Sequence, residues 1–326
     1  MGLGPIGAAV VRQVAARKGF KVVGAVDVDP AKVGRDLGDV VGLDKKLRVK
    51  VTGDVTKTMK AARPDVVVLC TSSSLAKVKG QLETILKGRV PVVSTTEELA
   101  YPYYSNKRLA RQIDVMARKA KVAVLGTGVN PGFTMDALPI ALTGVCERVD
   151  RVHVERVQDA GRRRLPFQQK IGAGLTPAQF QQRVDAGTVR HVGLTESIAM
   201  IADAMGWKLD RITDEIKPKV ATAPVSSEFL TVEPGRVCGI VQDGVGYRGG
   251  EPVITLHMEA YLGAPESFDA VRIDGSPAIH SKIDGGVHGD VATASITVNS
   301  IPAVLAASPG LHTMRSLRLP SYFGGK

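Results

Sequence analysis

Through roughly the first 130 residues, short apolar runs that end in polar residues alternate with longer stretches whose apolar positions recur every three or four residues. The runs Val22–Val26, Val66–Thr71, Pro91–Thr96 and Val122–Leu125 read as strands. Ala8–Lys18, Leu75–Lys87 and Leu109–Ala120 read as helices, with Gly88 closing the second, and Asp29-Pro30 opens a short helix that stops near Gly34. Short aliphatic strands alternating with helices predict a doubly wound α/β domain, its parallel sheet buried on both faces. From about Met135 this rhythm stops. Arg151–Val157 and Val253–Tyr261 read as strands, Pro177–Ala186 and Ser197–Met205 as helices, with Gly, Pro and Asp between them. The texture is that of an α+β domain. Near the end, Ala292–Val298 is strand-like, and Asn299-Ser300 can cap a helix over Pro302–Ala307 with Pro in its tolerated first turn. The expected organisation is a nucleotide domain over 1–134, a substrate and dimerisation domain over 135–294, and a segment 295–326 returning to the first domain.

Residues Gly2, Leu3, Gly4, Pro5, Ile6 and Gly7 form a G-x-G-x-x-G, and the strand Val22–Val26 that follows ends in Asp27. Glycines at this spacing allow a tight turn, backbone approach to a pyrophosphate, and close packing of a helix on a sheet; an acid at the next strand tip can bond the adenosine ribose. The order of turn, helix, strand and acid points to a dinucleotide site. The motif should follow the central strand of the sheet, yet only Met1 precedes it. Without that strand its neighbours' ladder groups stay unpaired, so the expectation is a chain whose start is truncated. In open α/β sheets ligands sit beyond the carboxyl ends of the strands. Thr71-Ser72-Ser73-Ser74, Thr95 to Glu98 and Gly126 to Asn130 should therefore converge on one cleft.

Composition narrows the class. Hydrophobic residues make up 44% and aromatics 4%, so the core is aliphatic. No apolar stretch approaches a membrane span and no signal peptide is recognisable. Cys70, Cys146 and Cys238 are odd in number and widely spaced, which suits free thiols in a reducing cytoplasm. The formal charge of +11 is scattered, its densest run being Arg162-Arg163-Arg164, and aromatics are too few for a base-stacking platform. Nucleic acid is not the expected partner; a basic surface equally suits an anionic dinucleotide. No His/Cys/Asp set has metal spacing and no nucleophile elbow occurs, which argues against metal and hydrolase chemistry.

Several runs carry a family resemblance: GLGPIG at the start, AKVGRDLGDVVGL from Ala31, STTEELAYP from Ser94, GTGVNPGF from Gly126, HVGLTESIAMIADAMGW from His191 and VNSIPAVLAASPGLHTM from Val298. The chain resembles the 2,4-diaminopentanoate dehydrogenases and the native amine dehydrogenases grouped with them, distant relatives of dihydrodipicolinate reductase. The resemblance implies NAD(P)-dependent oxidative deamination of an amine to a ketone and ammonia, its reverse, and a homodimer. Carried over residue by residue, Glu97 matches the active-site glutamate. Asn130 and Phe133 match positions facing nicotinamide and substrate, and Arg156 and His191 match pocket residues of the second domain. Gln158 stands where the family has Asn, a longer side chain at a position that should read the second polar group of a diamine. Thr71, Ser72, Ser73, Thr95 and Asn299 complete the expected cofactor contacts.

The residues themselves leave alternatives open. A carboxylate just past a buried strand can accept the amine proton, and Glu97 is the first charge beyond Val92–Thr96. The pair Glu97-Glu98 can instead be acids in a helix first turn, and Glu98 can point to solvent, cap a helix, or take the catalytic role. His191 is either a hydrogen-bonding acid or a structural residue beside Gly193. Arg156 is either a solvated strand residue or an anchor for a carboxylate or carbonyl. Asp27 favours NAD by repelling a 2′-phosphate, while Lys32 and Arg35 lie close enough in sequence to blur that preference. Rival readings are an imine or carbonyl reductase on the same frame, and a non-catalytic dinucleotide-binding protein.

Overall fold

A computed structural model describes residues 1–324. The described residues divide into two compact units, 1–133 with 288–324 and 134–287.

The first unit opens with α1 (Pro5–Ala16), β1 (Ala25–Val26), α2 (Leu37–Val40), β2 (Val51–Thr52), α3 (Val55–Ala62) and β3 (Val67–Leu69). It continues with α4 (Leu75–Lys87), β4 (Val92–Ser94), α5 (Lys107–Ala120) and β5 (Ala123–Gly126). Strands β3, β4 and β5 pair in parallel, and β1 pairs in parallel with β2 as a separate two-stranded sheet. A core of Leu69, Leu82, Ile85, Val92, Ile113 and Val124 joins α4 and α5 to the larger sheet. Helix α4 spans the predicted residues and ends at Gly88. This is the doubly wound α/β expectation, met with strands shorter than their apolar runs.

The second unit runs α6 (Ala137–Thr143), β6 (Arg148–Asp159), α7 (Leu165–Lys170), α8 (Pro177–Asp185), α9 (Leu194–Ala204), β7 (Arg211–Val220), β8 (Val225–Ser226) and β9 (Thr231–Val232). Four long strands close it: β10 (Val237–Arg248), β11 (Glu251–Tyr261), β12 (Phe268–Ser276) and β13 (Ile279–Asp284). Its six-stranded sheet has the order β13-β12-β6-β11-β10-β7. Only the β6–β11 pairing within that sheet is parallel. Val152 and Val154 on β6, Ile254 and Leu256 on β11, and Leu194, Ile198 and Ile201 on α9 fill one core, so one face of the sheet is covered by helix.

The chain then re-enters the first unit through α10 (Gly289–Asn299), α11 (Ile301–Ala306) and β14 (Gly310–His312), and β14 extends the larger sheet beside β5. Two local expectations change. The strand-like run Ala292–Val298 is helical: His288 Nδ1 accepts from Val291 N–H, and the Ser295 and Thr297 hydroxyls bond back to the carbonyls of Val291 and Thr293. Packing against α1 overrides the β-branched propensity. Asp29–Gly34 is a turn rather than a helix, because Gly34 donates to Val51 O at 2.8 Å and draws the chain toward β2.

Candidate active site

The glycine turn shows a division of labour. Gly2 has φ +78°, and a Cβ there would lie 2.7 Å from Cys70 O; a Cβ on Gly7 would lie 1.9 Å from Gly2 O. Both positions therefore exclude a side chain, one by conformation and contact, the other by helix–turn packing. A Cβ on Gly4 meets nothing within 4 Å. Gly4 is also the N-cap of α1, with Pro5 and Ile6 opening the helix and no side chain capping it. Open space beside uncapped first-turn amides, at the positive end of a twelve-residue helix, is a cradle suited to a pyrophosphate.

Asp27 leaves the tip of β1 and is tied to this turn. Its Oδ2 accepts from Leu3 N–H at 2.6 Å and its Oδ1 from Asp29 N–H at 3.0 Å. Lys32 Nζ lies 3.4 Å from Asp27 and 3.2 Å from Asp29. Burial pushes the Asp27 carboxyl up, but the two backbone donors and Lys32 outweigh it and hold the group below the usual carboxylate range. The carboxylate is thus fixed in its ionised form, as a ribose acceptor requires.

At the carboxyl edge of the larger sheet, β3, β4 and β5 end together. Ser94 Oγ donates to Leu69 O at 3.1 Å and lies 2.9 Å from Thr96 Oγ1, and Thr127 N–H donates to Ser94 O at 2.9 Å. Thr71 bonds Gln81, Ser72 Oγ accepts from Ser74 N–H, and Thr95 N–H donates to Leu69 O. Glu97 to Leu99 form a single 3₁₀ turn directly after β4. That turn sits so close to β5 that a Cβ on Gly126 would lie 2.4 Å from the Leu99 carbonyl.

The adjacent glutamates part here. Glu98 Oε2 accepts from Leu75 N–H at 2.7 Å and Glu98 N–H donates to Ser73 O at 3.1 Å, so Glu98 caps the N-terminus of α4. Glu97 Oε2 is buried and has no hydrogen-bond partner among the described residues, and the same holds for Thr127 Oγ1. A buried polar atom left unpaired costs about 1–3 kcal/mol unless water or a ligand bonds it. Asn130 is buried in the same loop, where Val129 N–H donates to Thr293 Oγ1 at 3.3 Å. Phe133, half-buried, is the last residue of the unit before the chain crosses.

Asn299 does not join this group. Its Oδ1 accepts from Arg17 Nη1 at 2.5 Å, and Arg17 is the C-cap of α1, at the opposite end of that helix from Gly4. The cause is the helical form of α10, which carries residue 299 away from the strand ends.

In the second unit, Arg156 and Gln158 project from β6 onto the helix-covered face, both buried. Arg156 is neither solvated nor free: it pairs with buried Asp269, donates to Val287 O at 2.8 Å, and approaches Thr134 Oγ1 at 3.5 Å. Asp269 Oδ2 in turn accepts from Val287 N–H at 2.7 Å. The pair thus fastens the loop that ends the unit. Gln158 is approached by Gly286, where a Cβ would lie 2.8 Å from its Nε2. His191 is held by its main chain, its N–H donating to Gln242 Oε1 at 2.9 Å and its carbonyl accepting from Gln242 Nε2 at 3.1 Å. Its ring Nε2 is buried with no partner among the described residues. Burial, then the charges of Lys170 and Arg156, push its pKa down to about 3. His191 is therefore a neutral imidazole at working pH, able to give or accept one hydrogen bond but not to serve as an imidazolium acid.

Gln242 and Asp269 have no counterpart in the sequence reading. The signal for Gln242 was a polar residue in the inward phase of the strand run Ile240, Gln242, Gly244. Asp269 lies 113 residues from Arg156 and carried no local signal.

Residues 133–326 match the 2,4-diaminopentanoate dehydrogenase C-terminal domain, and residues 1–127 match the dihydrodipicolinate reductase N-terminus. The 2,4-diaminopentanoate dehydrogenase of Acetoanaerobium sticklandii is 35% identical, over 98% of this chain and 92% of that protein. An amine dehydrogenase of Streptomyces virginiae is 24% identical over 99% of this chain and 96% of that protein. The solved amine dehydrogenase of Mycobacterium smegmatis superposes with a TM-score of 0.88 at 26% identity, covering 100% of this chain and 96% of that one.

Proposed function

The chain belongs to the 2,4-diaminopentanoate dehydrogenase family, and from that footing we propose that it is an NAD(P)-dependent amine dehydrogenase. In this reading it deaminates an amine or diamine to a ketone and ammonia, and runs the reverse reductive amination. The observation that carries it is the unpartnered, buried carboxylate oxygen of Glu97 at the carboxyl edge of a unit built around a glycine turn. When bound, the nicotinamide supplies the hydride acceptor and donor.

The protein's own groups do the rest. The Gly2–Gly7 turn and the α1 amides hold the pyrophosphate, and Asp27 bonds the ribose. Glu97 takes the proton from the substrate ammonium; in the reverse direction it protonates the hydroxyl that leaves the carbinolamine as water. Thr127 and Asn130 orient the reacting groups beside it. In the second unit Arg156 is committed to Asp269 and Val287. His191 Nε2 is then the buried group with a hydrogen bond to offer a substrate, and Gln158 tunes which polar substituent is read. We further propose a cytoplasmic homodimer, with NAD preferred over NADP through the Asp27 charge.

A panel of amines, 2,4-diaminopentanoate among them, incubated with NAD or NADP at alkaline pH tests the proposal. Amine-dependent formation of reduced nicotinamide supports it. Oxidation of NADH by a ketone or preformed imine without need of ammonia would replace it with the reductase reading, and tight cofactor binding without turnover with the binding-protein reading.

A further inference from the structure

The segment between α8 and α9 reaches His191 with little main-chain support of its own. As far as Val189 its N–H groups bond back onto Arg183 and Val184, and Gly193, with φ +119°, opens α9. From Arg190 to Val192 the only main-chain hydrogen bonds among the described residues are the two that His191 makes to Gln242. No hydrogen bond to the imidazole ring holds it among those residues either. A functional histidine is commonly oriented by a bond to its second ring nitrogen. Here that duty falls to the main chain, and so to Gln242.

Gln242 is fully buried on β10, on the face that packs against α9, with Met258 of β11 and Ile216 of β7 opposite it. Its amide meets His191 as a neighbouring strand would, the oxygen taking the N–H at 2.9 Å and the nitrogen giving to the carbonyl at 3.1 Å. Turned over, the same amide would set donor against donor and acceptor against acceptor. Asp214 forbids that turn. Its Oδ1 and Oδ2 accept from Gln242 Nε2 at 2.8 and 3.1 Å, and a carboxylate can only accept. Asp214 stands on β7 opposite Gly244, which has no side chain to come between the carboxylate and the amide one pair further along. Both donors of the amide nitrogen are then used, one on Asp214 and one on His191.

We propose that Gln242 is a positioning residue of the substrate site: locked by Asp214, it holds the His191 segment so that the buried ring Nε2 stands ready for a polar group of the substrate. It acts through His191 rather than on the substrate itself. The inference rests on the reading above in which His191 Nε2 meets the substrate.

The test exchanges the partners. Gln242→Glu keeps an oxygen for the His191 N–H but sets a second carboxylate against Asp214 and against the His191 carbonyl, so the urea midpoint should fall. Adding Asp214→Asn returns a donor to the pair and should restore the midpoint, and this double variant serves even if Gln242→Glu alone fails to fold. At the alkaline pH of the assay residue 242 still has no proton for the His191 carbonyl. The KM for 2,4-diaminopentanoate, or for whichever amine of the panel the parent turns over, should therefore stay raised about 3- to 10-fold, the worth of one hydrogen bond. The kcat and the KM for NAD should remain within about twofold of the parent's, as for a contact made equally in ground and transition states. An amine KM that returns to the parent's with the midpoint overturns the proposal, because Gln242 would then merely tie β7 to β10. A fall in kcat at unchanged KM also overturns it. If the parent oxidises no amine, the dehydrogenase reading fails instead, and the ring signal of His191 in histidine-labelled protein decides. That ring should begin to protonate above about pH 5 in the double variant and not in the parent; the same behaviour in both overturns the proposal.

Discussion

Asp27→Ala offers a quantitative probe of the dinucleotide site. The substitution removes the acceptor of the Leu3 N–H at 2.6 Å and of the Asp29 N–H at 3.0 Å, and releases Lys32 from one of its two carboxylates. It also removes the group proposed to hold the ribose hydroxyls. The net loss of hydrogen bonding to a charged group is taken as about 1.5–3 kcal/mol in all, so the NAD dissociation constant should rise about 10- to 150-fold. NADP should lose far less, because the repulsive charge goes and Lys32 can turn to the 2′-phosphate. The ratio of the two affinities should narrow at least about tenfold. Titration of NADH and NADPH fluorescence measures both constants on one preparation. Asp27→Asn separates the effects: it keeps an oxygen for the Leu3 N–H, so the turn survives while the charge is lost. An unchanged NAD-to-NADP ratio in both variants would refute the assignment.

Two further predictions follow from the second unit. His191 stays neutral to about pH 3 in the folded protein, whereas the unfolded chain takes up its proton near pH 6.5, so stability falls with acid between those values. The loss approaches about 1.4 kcal/mol per pH unit, up to about 3 kcal/mol at pH 4, and His191→Asn should flatten it in urea titrations; an unaltered acid limb would contradict the buried neutral ring. Asp269→Ala leaves Arg156 buried without its carboxylate and frees Val287 N–H. Chemical denaturation should show a loss of about 3–5 kcal/mol, and a loss below about 1 kcal/mol would mean that the pair is not what holds the loop.

Local pattern foretold what local forces decide. Leu75–Lys87 carries its apolar spacing and its Gly88 stop within the segment, and it folds as read. The glycine turn was equally legible, because the conformation at Gly2 and the contact at Gly7 are demands on single residues. Ala292–Val298 misled because its β-branched residues pack in a helix against α1, a context far away in sequence. Glu97 and Glu98 could not be told apart for a similar reason. What separates them is the Leu75 amide, 23 residues before Glu98, and no property of either residue announces it. Arg156 looked like a strand residue facing water or substrate until Asp269 arrived from β12 to pair with it.

The central claim is that Glu97 carries the proton in a nicotinamide-dependent amine oxidation, and comparing the turnover of Glu97→Gln with that of Glu98→Gln tests it most directly. Glu97→Gln keeps the shape of the side chain but cannot accept a proton, so kcat should fall about 10²- to 10⁴-fold with one limb of the pH profile lost and cofactor affinity nearly unchanged. Glu98→Gln retains an acceptor for the Leu75 N–H and should turn over at close to the normal rate, with a small loss of stability at the α4 cap. Near-normal turnover by Glu97→Gln beside a crippled Glu98→Gln would contradict the account.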